Sequence, residues 1–138
     1  KYTIHDLIPD IDARFKIYNG GPVEQDNLYF IHNRPDLISN STEISNGIYW
    51  GGDFESTKRL INEGKISKNN IRFFLGYTGW DEKQLESEME NNSWIITTNS
   101  YENKIIGKSA THFWKEQIME LGGDYLIWSN APENPYLN

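Results

Sequence analysis

Two glycine pairs sit in the same local pattern. Tyr18-Asn19-Gly20-Gly21-Pro22-Val23-Glu24 and Tyr49-Trp50-Gly51-Gly52-Asp53-Phe54-Glu55 share Tyr-x-Gly-Gly-x-apolar-Glu. Each pair follows a predicted strand. A glycine-rich turn at a strand end can offer backbone N–H groups to a phosphate. Neither pair has the spacing of a P-loop or of a dinucleotide fingerprint, and neither is followed by Lys-Ser or Lys-Thr. Glu24 and Asp53 would also repel a phosphate. The structural alternative is a pair of tight turns that allow close backbone packing. A third turn, Gly76-Tyr77-Thr78-Gly79-Trp80, ends an apolar run. Such strand ends border ligand crevices in open sheets; alternatively, Trp80 packs over the start of the next helix.

Other chemistry is sparse. His5, His32 and His112 lie far apart, and no His-x-x-x-His pair is present, so no metal site is expected. His32-Asn33-Arg34 follows a strand and reads either as a polar site or as a structural hydrogen-bonding corner. No cysteine and no Gly-x-Ser-x-Gly elbow occurs, which excludes a thiolate and that serine nucleophile. Most carboxylates fall on predicted helix surfaces, where nothing in the sequence desolvates them. No catalytic residue is assigned and no cofactor is expected. The candidate ligand-binding set is Gly20, Gly21, His32, Gly51, Gly52, Tyr77, Thr78 and Trp80. If the strands share one sheet, ends of like polarity gather on one side. The turns would then converge, with His32 and Trp80 at the margin.

The elements that must position them follow from periodicity. Tyr2–Leu7 predicts a short helical turn ended by Pro9. Phe15 and Ile17 alternate with charged residues, as in a half-buried strand. Leu28–Ile31 predicts a second strand. Thr42–Ile44 and Ile48–Trp50 flank Asn46-Gly47, a strong hairpin signal. Helices are expected over 53–63, 81–91 and 109–121, capped by residues such as Asp81 (with Gln84 three residues on) and Ser109. Ile71–Leu75 predicts a strand near the sheet centre, buried on both faces. Trp94–Thr97 and Tyr125–Trp128 predict two more strands, and 130–138 a surface tail. The fold class is therefore α+β: a mixed β-sheet with antiparallel hairpins, packed by about three α-helices in one domain over 1–138.

Composition narrows the partners. The chain has 138 residues, 14% aromatic, with large rings expected to fill much of the core. No apolar run approaches the ~20 residues that span a bilayer, so no membrane partner is expected. The lack of cysteine fits a cytoplasmic protein. The net charge is −7, and the 13 basic residues are scattered among 20 acidic ones. Lys65, Lys68 and Arg72 form only a modest concentration, read as solvated lysines around a helix end.

These blocks together carry a resemblance. Tyr18-x-Gly-Gly-Pro-Val-Glu, Leu28–His32, Gly51-Gly52-Asp53, Phe74–Trp80, Gln84-Leu85-Glu86, Asn92-Ser93-Trp94, Trp114-Lys115 and Leu121–Asp124 resemble, in order and spacing, the bacterial YqgE/AlgH family. Ile48–Glu55 is similar to the Bacteroidetes version. Some members carry the label of transcriptional regulator on genetic grounds, without a known DNA-binding motif. The resemblance transfers no established catalytic residue. It implies an N-terminal segment with sheet strands ahead of the first Gly-Gly block. The chain opens on Lys1-Tyr2-Thr3, so an open sheet edge or an exposed apolar face is expected.

The leading expectation is a non-enzymatic regulatory or binding domain acting on a protein or small-molecule partner. The alternative is an enzyme or binder for a small phosphorylated or nucleotide-like ligand at the Gly-Gly turns. Direct double-stranded DNA binding is not expected, because duplex binders meet the polyanion with concentrated Lys and Arg. Fluorescence anisotropy with random duplex at about 50 mM salt favours phosphate contacts and should show no sub-micromolar binding. Sub-micromolar binding would revive a direct regulator.

Overall fold

A computed structural model describes residues 2–131. The chain divides into two compact units, Lys1–Gly107 and Lys108–Asn138. The first holds helix α1 (Ile4–Leu7), strands β1 (Ile17–Asn19), β2 (Val23–His32), β3 (Thr42–Ser45) and β4 (Ile48–Trp50), helix α2 (Phe54–Asn62), strand β5 (Ile71–Tyr77), helix α3 (Gln84–Glu90) and a 3-10 segment, Glu102–Gly107. The second holds α4 (Ala110–Leu121) and a 3-10 segment, Gly123–Asn130.

The strands form one five-stranded mixed sheet in the order β1-β5-β2-β4-β3. β1 runs parallel to β5, and the other pairs are antiparallel. The fold is thus the α+β class expected. β5 lies inside the sheet, with β2 as its middle strand. The outer edge of β1 is partly occupied by the chain start. Thr3 bridges Lys16, and Ile17 N–H donates to the Tyr2 carbonyl at 3.2 Å. In the β3–β4 turn Gly47 takes φ 74°, and the register shifts between Glu43 and Ser45.

Alternation divides the sheet residues between two faces. Phe30, Ile71 and Phe73 point into a core with Ile4, Ile11, Ile38, Leu60, Ile61 and Ile66. α2 belongs to this core because Leu60 and Ile61 are buried on one of its sides while Glu55 and Arg59 face water. Isoleucine does most of the filling, joined by the buried rings of Phe30 and Phe73. Phe15 and Phe54 pack against the same cluster, so rings share this core with isoleucine. Five more rings lie on the second face, where Tyr18–Phe74, Tyr29–Trp50 and Tyr29–Tyr77 have centroids 6.1, 5.4 and 5.6 Å apart. Others, such as Trp80, Trp94, Trp114 and Trp128, are exposed.

Two expected strands are absent. Residues 93–99 have no regular structure, and Ile95 and Ile96 are exposed. A strand is stabilised by a paired neighbour more than by its own propensity. Here Trp94 instead turns its indole toward α3. Tyr125–Trp128 lies in the 3-10 segment, because Gly122 and Gly123 both take positive φ (65° and 54°) and Tyr125 N–H returns to the Gly122 carbonyl. The helix expected from 81 begins at Gln84, after Lys83 at φ 64°. Half of the anticipated capping box survives: Asp81 N–H donates to Gln84 Oε1 at 2.9 Å. Ser109 stands at the N-cap of α4 without a side-chain cap bond. The expected tail lies outside the described residues from 132 onward. No helix among the described residues is long and apolar enough to cross a membrane.

The β1–β5 contact depends on bare backbone. A Cβ at Gly76 (φ 70°) would lie 2.5 Å from the Gly21 carbonyl oxygen and 2.8 Å from that of Val23. At Gly64 (φ 72°) nothing lies within 4 Å. Gly64→Ala should therefore cost about 1 kcal/mol, the left-handed strain alone. Gly76→Ala should cost at least ~2 kcal/mol more, because overpacking adds to the strain. Urea unfolding of the two variants checks the difference; equal losses would refute the close contact.

Candidate functional site

The first glycine pair closes β1 against β5. Gly20 N–H donates to the Leu75 carbonyl at 2.8 Å, and Thr78 Oγ1 donates to the Gly20 carbonyl at 3.2 Å. Gly21 N–H is held by Asn19 Oδ1 at 3.1 Å. Gly20, Gly21, Tyr77 and Thr78 are thus one corner. Beside it lies an open cleft of about 340 Å³, lined by Tyr2, Ile17, Tyr18, Asn19, Gln25 and Leu75. Its polar groups are two carboxamides and two phenols. Arg72 reaches the Tyr18 ring, its guanidinium carbon 4.9 Å from the centroid. Gly76 interrupts the alternation of β5, so Tyr77 joins Tyr29 on the second face. The Tyr29 hydroxyl donates to Glu24, holding that carboxyl below its ordinary range.

The second glycine pair makes a different corner. Gly51 N–H donates to the Phe30 carbonyl at 3.0 Å, and Phe30 pairs with Phe73. Tyr77, beside Gly21, is four residues further along β5, roughly 13 Å at ~3.3 Å per residue. The turns therefore do not converge: Gly20, Gly21, Tyr77 and Thr78 lie at one corner, and Gly51, Gly52 and His32 at another. Gly52 (φ 121°) packs under the 38–41 turn, its Cβ position 2.5 Å from Ile38 Cγ2. Asp53 then caps α2. Its Oδ1 accepts from the N–H groups of Glu55 (3.0 Å) and Ser56 (3.3 Å), and its Oδ2 from the Ser56 hydroxyl (2.8 Å). The Ser56 hydroxyl and N–H are the main reason the Asp53 carboxyl sits below its usual value. A side chain of the protein already occupies the helix end where a phosphate would bind.

His32 is wholly buried. Nδ1 accepts from Arg34 N–H at 3.1 Å, which leaves Nε2 to donate to the Gly51 carbonyl, also at 3.1 Å. The ring is neutral in this arrangement, and burial lowers its pKa. It stacks on Tyr49, with centroids 5.8 Å apart.

Trp80 belongs to neither corner. Its indole N–H donates to Glu88 at 3.3 Å, and that of Trp94 donates to the same carboxylate at 2.6 Å. These bonds, Trp94's first, together with Gln84's, hold the Glu88 carboxyl below its normal value. The two indoles meet edge to face, 5.9 Å apart. Trp80 thus lies against Glu88 and Trp94, further along the helix than the packing over its start that the structural alternative anticipated. Among the described residues no group of three His, Asp or Glu is arranged to hold a metal. Sequence reasoning missed the cleft residues Tyr2, Ile17, Gln25 and Leu75. Tyr18 and Asn19 were within the repeated pattern, and their position just before Gly20 was the available signal.

This mixed sheet with helices on its core face is a fold found in solved proteins. AlgH from Pseudomonas aeruginosa, known from a solution structure, superposes with a TM-score of 0.64 at 22% identity, over 95% of this chain and 70% of that one. DIP2367 from Corynebacterium diphtheriae gives 0.69 at 16% identity, over 94% and 70%. At such identities the likeness concerns the fold alone. Sequence goes further: residues 1–126 match the AlgH-like family, and the chain belongs to it. A UPF0301 protein of Cytophaga hutchinsonii is 44% identical over 123 residues, covering 88% of this chain and 67% of the relative. One of Chlorobium limicola is 42% identical over 127 residues, covering 92% and 67%. The chain thus spans about two thirds of the length of these relatives.

Asp53 supplies the test of this corner. Asp53→Ala should lose about 1 kcal/mol of stability, as N-cap removals do. Inorganic phosphate at millimolar concentration should leave the wild-type melting temperature unchanged. A phosphate-dependent rise that Gly52→Ala abolishes would restore a phosphate site there.

Proposed function

We propose that this chain is a non-catalytic binding domain that regulates through the molecule it holds in the Tyr18–Asn19 cleft. The supporting observation is the lining. A cleft of about 340 Å³ is within the size range of small-ligand sites, which combine apolar walls with a few convergent polar groups. Its lining combines the apolar residues Ile17 and Leu75, the aromatic residues Tyr2 and Tyr18, and the carboxamide residues Asn19 and Gln25. No cation lines it. The ligand class it suits is uncharged, planar or partly apolar, and small. The phosphorylated-ligand reading is weaker, since Gly20, Gly21 and Gly51 N–H groups are already bonded within the protein. Regulation would follow from the occupied cleft and not from direct contact with duplex DNA, which a net charge of −7 opposes. The compartment we propose is the cytoplasm.

A thermal-shift screen with uncharged heterocycles and amides tests the reading, because a ligand that prefers the native state raises the melting temperature. Gln25 is exposed, so Gln25→Trp should fill the cleft without disturbing the core. Hits should stabilise the wild type and lose at least about tenfold in affinity in Gln25→Trp, some 1.4 kcal/mol. Hits that bind both proteins equally would place recognition elsewhere.

A further inference from the structure

The neutral His32 ring joins two segments that are distant in sequence. Its Nδ1 holds Arg34 N–H, the first residue of the turn in which Leu37 and Ile38 N–H groups return to the Arg34 carbonyl at 3.1 and 3.0 Å. Its Nε2 holds the Gly51 carbonyl. The same two segments meet again where Asp53 N–H donates to the Ser39 carbonyl at 2.9 Å and Ile38, wholly buried, packs against Gly52. A second proton on the buried ring would put an Nδ1–H donor against the Arg34 N–H donor at 3.1 Å. One of the two must move, and each carries a segment with it. We propose that His32 is a proton-operated latch: neutral, it fastens the Arg34–Ser41 turn to the Gly51–Asp53 corner, and protonated, it releases that corner while the β2–β5 pair stays closed.

The groups around the ring set its working range. Burial in the company of Phe30 and Tyr49 disfavours the imidazolium, and the Asp36 carboxylate favours it. Arg34 moderates Asp36 by pairing with it, at 2.9 Å through Nε and 2.7 Å through Nη2. The folded ring titrates below its ordinary 6.5, so between those two values the open corner holds more protons than the closed one. Closure is then complete above pH ~6.5 and weakens as pH falls, by at most about tenfold per pH unit for one proton.

Amide hydrogen exchange on the whole chain, corrected for intrinsic rates, reads this directly. Between pH 7.5 and 5.5 protection at Ile38, Gly51 and Asp53 should drop several-fold, while that at Phe30 and Phe73 holds. In His32→Gln the pH dependence at the corner should vanish. Asp36→Asn, a surface change, removes a carboxylate that favours the imidazolium in the closed corner and should deepen the loss of corner protection below pH ~6.5. Unchanged corner protection in the wild type, a loss shared equally by Phe30 and Phe73, or a shallower low-pH loss in Asp36→Asn would overturn the latch.

Discussion

Everything in the first unit is built around one place where backbone meets backbone without side chains. Gly20 and Gly76 approach so closely that a Cβ on Gly20 would fall 2.1 Å from the Gly76 carbonyl oxygen. That contact lets β1 lie parallel to β5 while the chain turns at once through Gly21 into β2. Parallel neighbours ordinarily need a long crossover, and here the β1–β5 connection passes through β2, β3, β4 and α2. The same point fixes the bulge between Val23 and Leu28, the switch of Tyr77 to the second face, and the mouth of the cleft.

Much of the architecture was legible because short-range rules and burial agreed there. Ile71–Leu75 read as an inner strand, and Phe73 is wholly buried. Asn46-Gly47 read as a hairpin turn and is one. Phe54–Asn62 read as a helix from its apolar side, whereas its Asp53 cap emerged only from the structure. The failures share a cause. Trp94–Thr97 and Tyr125–Trp128 are rich in strand-forming residues, but a strand requires a partner edge, and composition does not reveal whether one is available. Composition is equally silent on placement: counting rings says how much ring volume exists, not on which face of the sheet it lies.

The candidate site was half legible. The repeated Tyr-x-Gly-Gly-x-apolar-Glu pattern did mark two sharp exits from the sheet, but resemblance in sequence did not place them together. β1 and β4 end at different levels, and two strands separate them. The two copies also do different work. In the first, Asn19 secures the turn and borders open space. In the second, Asp53 and His32 bind the turn to the protein's own groups. Discriminating them required the register, which is a long-range property.

The parallel pairing of β1 with β5 also determines how the domain bears mechanical load. Tension entering at the chain start and leaving beyond Tyr77 first meets the antiparallel Thr3–Lys16 bridge, which it peels open like a zipper. It next meets β1 and β5, which point the same way. Their hydrogen bonds lie across the direction of pull and must shear together. The sheet is consequently anchored at the very strand that lies nearest its outer edge, and the force-bearing clamp is the short span Ile17–Asn19 against Phe73–Leu75.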